Sequence, residues 1–406
     1  MTADAMTTGP TPAPPISLAQ TGLPPGVVAD LLRKHLFISG PRPAAELADA
    51  VALPLAAVGG LLRHLAEEGS IDLRQRTGSG DRLADAAVSL SATGRRETQT
   101  LFRTSRYVGP APVPVEQFLH RAAAQHPSVS RPALVDDWAG QVSALVGDAS
   151  EPLQIAAADA RGLVLIGADG CGKRAIARRL AEQVCRCLGP VWLPSAILAG
   201  DRIMTVFDPT RHQPVRTAGV ADARWRCVLR PVVEATAADL QPRPVPAGST
   251  PSVPDVVKGC GGVCLANADE LPPERLRQLA IATDPPDRPT RLPVASMLIV
   301  TASQWPADAA VLRRLRHKVA VPPPSESSFA MLLQAACRDR SIPLDPAAGP
   351  VLWQTHFAAD RPHRPSAADA EELVEIAASI CRFREQPPAI GPTVLLDAAR
   401  RYLPAA

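Results

Sequence analysis

The sequence predicts a mixed α/β protein: a central α/β domain around a glycine-rich loop, a small helix-and-strand domain before it and an all-helical region after it. Three observations point there. The run GLVLIG at 162–167 is a short apolar strand stopped by glycines, and a pattern of helical spacing, RAIARRLAEQVCRCLG, follows it. Further short apolar runs, PVWLP, RIMTVF, RCVLRPVV, GGVCLA and VASMLIV, recur as expected for a sheet with intervening helices. From Ser325 to Leu403 the apolar residues fall three and four apart, which is helical spacing.

A chain of 406 residues with a 46% apolar fraction can bury a real core, which excludes wholesale disorder. No run of about 18 apolar residues occurs, and the opening MTADAMTTGPTPAPP lacks a basic region followed by an apolar one, which argues against membrane insertion and secretion. The eight cysteines are scattered rather than set out as a disulfide framework, so a reducing, cytoplasmic setting is expected. Forty-three basic residues against forty acidic ones give a formal charge of +3, too small for general attraction to nucleic acid.

Taken in order, residues 1–23 are Thr, Pro and Ala without apolar periodicity, and a disordered tail is expected. Residues 24–106 show three short helices (VVADLLRKHLF, PAAELADAV, PLAAVGGLLRHLAEEG), two extended runs around a glycine-rich turn, then a basic helix, RRETQTLFRTSRY. That is winged-helix order. Residues 107–128 hold YVGPAPVPV, whose alternating prolines predict a stiff spacer and a domain boundary, followed by a helix. Residues 129–325 form the α/β domain, with a Pro-rich mobile insertion expected at 241–255, and 326–404 the helical region.

The loop Gly167-Ala168-Asp169-Gly170-Cys171-Gly172-Lys173 matches G-x-x-x-x-G-K between a strand and a helix. Glycines let backbone N–H groups turn inward onto phosphate oxygens, the helix dipole favours the anion, and Lys173 can reach the terminal phosphates. Gly167, Gly170, Cys171, Gly172, Lys173 and Arg174 are the candidate nucleotide-binding residues. The next position usually offers a Ser or Thr hydroxyl to Mg²⁺; here it is Arg174, which has donors only and cannot ligate a metal. Conventional Mg²⁺ binding is therefore in doubt, and Arg174 either neutralises phosphate charge itself or faces solvent. Cys171, at a helix N-terminus, is in a setting that lowers thiol pKa, although a plain small loop residue is the simpler reading.

The linker YVGPAPVP, the loop GADGCGK, FDP at 207–209, Gly261-Gly262 opening an acidic strand and LRRLRHKV at 312–319 stand together in one order. In this the chain resembles bacterial AAA+ ATPases with an N-terminal winged-helix region. The resemblance implies a three-layer P-loop AAA+ domain, a C-terminal helical lid, ATP or ADP as ligand, and assembly with other AAA+ subunits into a homo- or hetero-oligomeric ring. It also implies two acids at the end of the GGVCLANADELPP strand; counted from the glycines, those positions hold Asn267 and Ala268. Asp269 and Glu270 lie two residues later and are the substitute catalytic carboxylates if the register shifts; otherwise they are the acidic start of PPERLRQLA. The polar sensor falls on Ser303 and the lid arginine on Glu371. Arg313 and Arg314, with Arg316, occupy the region of an arginine finger acting in trans on a neighbouring subunit.

The third helix offers Arg63 and His64 but also Glu67 and Glu68, a poor face for reading bases, so protein docking is preferred to DNA contact through the winged-helix region. Cys185-x-Cys187 and Cys260-x-x-x-Cys264 read as core thiols rather than zinc ligands. The expected function is a nucleotide-binding, hydrolysis-deficient AAA+ protein serving as a regulatory or scaffolding subunit of an ATP-dependent assembly that acts on a protein client. The alternatives are an active remodelling ATPase and a DNA-binding regulator with a nucleotide-sensing domain.

Overall fold

The structure, a computed structural model, describes residues 10–74, 83–125, 150–217, 219–236, 250–282, 297–358 and 364–403. They form two compact units, each drawn from several stretches of chain: the first from within 1–128, 188–263 and 282–296, the second from within 129–187, 264–281 and 297–406.

The first unit opens with helix α1 (Pro25–Ser39), started by proline at its first turn and stopped at Gly40, whose φ of 75° suits glycine. Strand β1 (Arg42–Pro43), helices α2 (Ala44–Ala50) and α3 (Leu55–Glu67), strands β2 (Ile71–Arg74) and β3 (Ala87–Leu90) and helix α4 (Ala92–Thr104) follow. The strands form an antiparallel sheet in the order β1-β3-β2. Val28, Leu32, Leu47, Leu62, Ile71 and Val88 are fully buried in one core; truncating such a leucine to alanine typically costs about 2–5 kcal/mol. Helix α4 is capped by Ser91, which accepts from the Gly94 amide at 3.0 Å. A Cβ on Gly94 would lie 1.9 Å from the Ser70 carbonyl oxygen, so only glycine lets helix and sheet approach this closely.

Three expectations change here. Residues 10–23 are not a disordered tail: Pro12, Pro15, Thr21 and Leu23 are buried, and the Pro10 and Pro12 carbonyls accept hydrogen bonds from Arg121 Nη1 (2.7 Å) and the Asp222 amide (2.8 Å). Prolines lose little backbone entropy on ordering, so few contacts suffice. The stretch YVGPAPVPV does not separate domains either. Tyr107 and Ala111 belong to the same core, the Ala111 amide donates to the Val51 carbonyl at 2.7 Å, and strand β4 (Val113–Pro114) runs into helix α5 (Val115–Ala124). Finally, several runs read as parts of the central sheet form small sheets of their own. Strand β6 (Val191–Pro194) pairs antiparallel with β9 (Trp225–Val228), while β7 (Ala196–Ala199) lies between β4 and β8 (Arg202–Thr205). Of the Pro-rich insertion, 241–249 lie outside the described residues, but the Val253 amide donates to Thr205 at 3.0 Å as an extra rung beside β8. Strand β10 (Val232–Ala235) and the short helix α8 (Asp255–Lys258) complete the unit.

The second unit carries helix α6 (Ser150–Asp159), strand β5 (Leu163–Ile166), helix α7 (Lys173–Leu188), strand β11 (Val263–Asn267), helix α9 (Pro273–Ala282), strand β12 (Met297–Ala302), helix α10 (Ala309–Arg314) and strand β13 (His317–Ala320). Strand β5 lies between two parallel neighbours, with Leu163 opposite both Ile299 and His317, and β11 lies beyond β12. Residues Met297 to Ala302 are buried without interruption, as expected of a strand covered on both faces. Helices α11 (Glu326–Asp339), α12 (Ala348–His356), α13 (Ala367–Phe383) and α14 (Pro392–Tyr402) close around Phe329, Leu333, Leu373, Val374 and Leu395. Among the described residues no single helix is long and apolar enough to cross a membrane.

Candidate phosphate-binding site

The loop 167–172 leaves the C-terminal end of β5, the end of a parallel strand at which ligands of open α/β sheets bind. Its path is fixed from both sides: the Gly167 amide donates to Ala302 at 3.2 Å, and the Val321 amide donates to Ile166 at 2.7 Å. Gly170 and Gly172 have φ of 76° and 93°, which turn the backbone into the left-handed region and open the loop ahead of α7. A Cβ on Gly167 would meet the Val321 carbonyl oxygen at 2.5 Å, so this position too must be glycine.

Lys173 is 8% exposed, and its ammonium donates to the loop carbonyls of Gly167 (2.6 Å) and Ala168 (2.7 Å). An entering phosphate competes with these carbonyls for the same protons. Arg174 is ion-paired with Glu270, both about two-thirds exposed. Asp269 receives the Ser303 amide at 2.9 Å on one oxygen and the Ser303 hydroxyl at 2.9 Å on the other, and thereby pins the turn that follows β12. Cys171 is buried, and burial pushes its thiol up from its ordinary value against the lowering pull of the Lys173 charge. This corrects the expectation of a lowered thiol pKa at the helix N-terminus: desolvation outweighs the Lys173 charge and the backbone amides here.

The start of α13 sits on the loop. Its Ala368 amide donates to the Gly170 carbonyl at 3.1 Å, and Ser366 and Asp369 form a reciprocal cap, Asp369 N to Ser366 Oγ at 3.2 Å and Ser366 N to Asp369 Oδ2 at 2.8 Å. These amides are spent within the fold. A cleft of about 1090 Å³ results, walled by the loop, the ends of β11 and β12, and helices α11 and α13.

Asp269, Glu270, Ser303 and Glu371 all line this cleft beside Lys173 and Arg174, so the geometry brings these sequence-level candidates together. Asn267 is the last residue of β11, and Asp269 and Glu270 lie in the turn before α9 rather than on that helix. Sequence reasoning missed Arg179 and Arg338, which also line the cleft. Arg179 was visible one and a half turns after Lys173 on α7, whereas Arg338 comes from α11, which no local pattern ties to the loop. The charge of the wall is Lys173, Arg174, Arg179 and Arg338 against Asp169, Asp269, Glu270, Asp339 and Glu371. Arg313 and Arg314 are not among the cleft-lining residues. They ride α10, whose N-terminus is capped by Asp308 accepting from Ala310 N at 2.8 Å, with Arg313 exposed and Arg314 half-buried.

The residues fit a nucleotide's phosphates and do not fit a conventional Mg²⁺. The cradle, the buried ammonium and the helix start are present, while the metal's hydroxyl ligand is replaced by a cation. Among the described residues no cluster of His, Cys, Asp and Glu could hold a metal ion. The cysteines of the two suspected zinc pairs form no disulfide among the described residues, and burial pushes Cys260 up to about 12.

The FDP segment serves the first unit. His212 is buried, its Nδ1 accepts from the Asp208 amide at 2.9 Å, and its Nε2 donates to the Lys258 carbonyl at 2.8 Å, so the ring is held in one neutral tautomer. Burial lowers the His212 pKa from its ordinary 6.5. Burial acts to raise the Asp208 carboxyl, but hydrogen bonds from Thr210 and Lys258 more than offset this and hold it well below the usual range.

Comparison with known proteins adds the following. Residues 325–401, spanning α11 to α14, match a family described as a domain of unknown function (DUF8689). No curated protein matches the sequence. Among solved structures the chain is similar to Thermotoga maritima RuvB, described as a Holliday junction branch migration motor, at 10% identity over 68% of this chain and 72% of that one, with a TM-score of 0.37. Mutants of the same RuvB align comparably, one at 10% identity over 63% of this chain and 69% of that one with a TM-score of 0.38.

Proposed function

We propose that the chain is a nucleotide-binding protein of the AAA+ type that holds ATP or ADP in the loop 167–173, hydrolyses it poorly, and serves as a regulatory or scaffolding subunit beside other AAA+ subunits. The observation that carries this reading is how the cleft's carboxylates are engaged. A carboxylate that prepares a water for attack on a γ-phosphoryl group must be aimed at that water. Asp269 is turned onto the Ser303 amide and hydroxyl, and Glu270 is paired with Arg174, so both are already engaged by protein groups. In this reading Lys173 and the loop amides bind phosphate, and Arg174 adds positive charge where a metal would otherwise stand. The helices 326–402 act as the lid, residues 24–106 as a winged-helix module for a protein client, and Arg313 and Arg314 as donors to a neighbouring subunit's site.

The reading is tested by ATP turnover of the purified protein beside its Lys173→Ala variant. The expected result is ATP binding, lost in Lys173→Ala, with turnover at background. Turnover at ordinary ATPase rates, abolished by Lys173→Ala, would overturn it in favour of an active enzyme. One observation favours that second reading: Asp269 and Glu270 line the same cleft as Lys173, and release from Ser303 and Arg174 would free them.

A further inference from the structure

The segment Pro10-Thr-Pro-Ala-Pro-Pro consists entirely of residues that are proline or next to one. Proline fixes φ near −65°, and a following proline disfavours the α region, so such a segment is set as a polyproline II helix with three residues per turn. Its burial follows that period: Pro12 and Pro15, one turn apart, are buried, while Ala13 between them is exposed. Polyproline II makes no hydrogen bonds of its own, which leaves its carbonyls free to accept from a receptor. Two of them do so, from Arg121 Nη1 on α5 (2.7 Å to Pro10) and from the Asp222 amide before β9 (2.8 Å to Pro12).

The receptor face is built for this. The Arg121 guanidinium stacks on the Trp225 ring at 5.1 Å from its centroid, and both line a cleft of about 740 Å³ along the segment, together with Glu116 and His120. An aromatic wall, a side-chain donor to a proline carbonyl and room for prolines at i and i+3 are the elements by which grooves take proline-rich peptides.

We infer that the α5–β9 face is a docking site for polyproline II segments, held in the free chain by residues 10–15 as a tethered ligand and open to a proline-rich segment of a partner polypeptide that displaces it. A tether of this kind acts at an effective concentration of roughly millimolar order, so a competitor must exceed that to enter.

The test uses the full chain, a Pro12→Ala/Pro15→Ala variant that weakens the tether, and a fluorescent peptide of residues 10–16, PTPAPPI, followed by anisotropy. The peptide is expected to bind the variant about tenfold or more tighter than the parent, because the tether no longer competes. Adding Arg121→Ala to the variant, with circular dichroism to verify folding, is expected to weaken binding at least about fivefold, the loss of one charge-assisted hydrogen bond and a stacking contact. The peptide PTAAPAI is expected not to bind. Absence of saturable binding of PTPAPPI to the variant at millimolar concentration, equal binding of PTAAPAI, or equal affinity for parent and variant would each overturn the inference.

Discussion

Replacing Arg174 by alanine separates a pocket that has exchanged its metal for a side chain from one that has lost its ligand. The Arg174–Glu270 pair is about two-thirds exposed on both partners, so its loss should change folding stability by less than about 1 kcal/mol. Phosphate binding should change far more. One unit charge about 5 Å from a phosphate contributes roughly 1 kcal/mol at the dielectric of water and about 3 kcal/mol at an effective value near 20. Because about 1.4 kcal/mol is tenfold in affinity, Arg174→Ala should weaken Mg²⁺-free ATP binding by about 5- to 200-fold. The wall already carries five carboxylates against four cations, and the variant leaves three, so no neighbour compensates. Isothermal titration with ATP in EDTA and in Mg²⁺ reads both effects. The parent should gain less than about threefold from Mg²⁺, under about 0.7 kcal/mol. If Arg174→Ala binds Mg²⁺-free ATP as tightly as the parent, or the parent's affinity rises steeply with Mg²⁺, the substitution of metal by arginine is wrong.

Other perturbations test the surrounding framework. Gly170→Ala places a side chain at φ 76° with its Cβ 2.8 Å from Ser366 Oγ, and the left-handed strain alone should cost about 1–2 kcal/mol in urea unfolding, with a matching loss of nucleotide affinity. Ser366→Ala removes one side of the reciprocal cap on α13 and should lower stability by about 1 kcal/mol, measured by the same unfolding. Because burial depresses the His212 pKa below its unfolded value of 6.5, its contribution is fully present above pH 6.5 and lost as pH falls from there through the folded pKa; His212→Gln should flatten unfolding free energy against pH in that window. Cys171, with its thiol pushed up and its side chain buried, should react with iodoacetamide much more slowly at pH 7.5 in the folded protein than in urea, read by mass spectrometry of the labelled peptide.

Which parts of this were legible in the sequence follows from the range of the interactions involved. The strand, loop and helix around Lys173 were readable because glycine chemistry, apolar runs and helical spacing are local signals. The helices of 25–67 and 326–402 were readable for the same reason. Pairing partners were not. The runs PVWLP and RIMTVF have the composition of central strands, and nothing within them says that β6 would meet β9 or β8 would meet β7. The proline-rich stretches misled because low periodicity was read as absence of contacts; Tyr107 and Ala111 enter a core, and Pro10 and Pro12 offer carbonyls to distant donors. At the site, the strand that ends at Asn267 is legible from its apolar run after Gly261 and Gly262, whereas the hold of Ser303 on Asp269 depends on two segments more than thirty residues apart. Burial of Cys171 beneath its own loop likewise leaves no trace in the order of residues.

The interleaving of the two units bears on how the chain can be made. Strand β5 waits between neighbours that lie far downstream, His317 being its partner opposite Leu163 about 150 residues later. At roughly 5–20 residues per second, a ribosome leaves the loop strand unpaired for on the order of ten seconds. During that interval its apolar edge is an aggregation risk that a chain with sequential domains would not carry. The same threading means that cutting at residue 128 would divide the first body and cutting at 263 would divide both, so recombinant fragments chosen from the linear order of motifs should fold less well than the intact polypeptide.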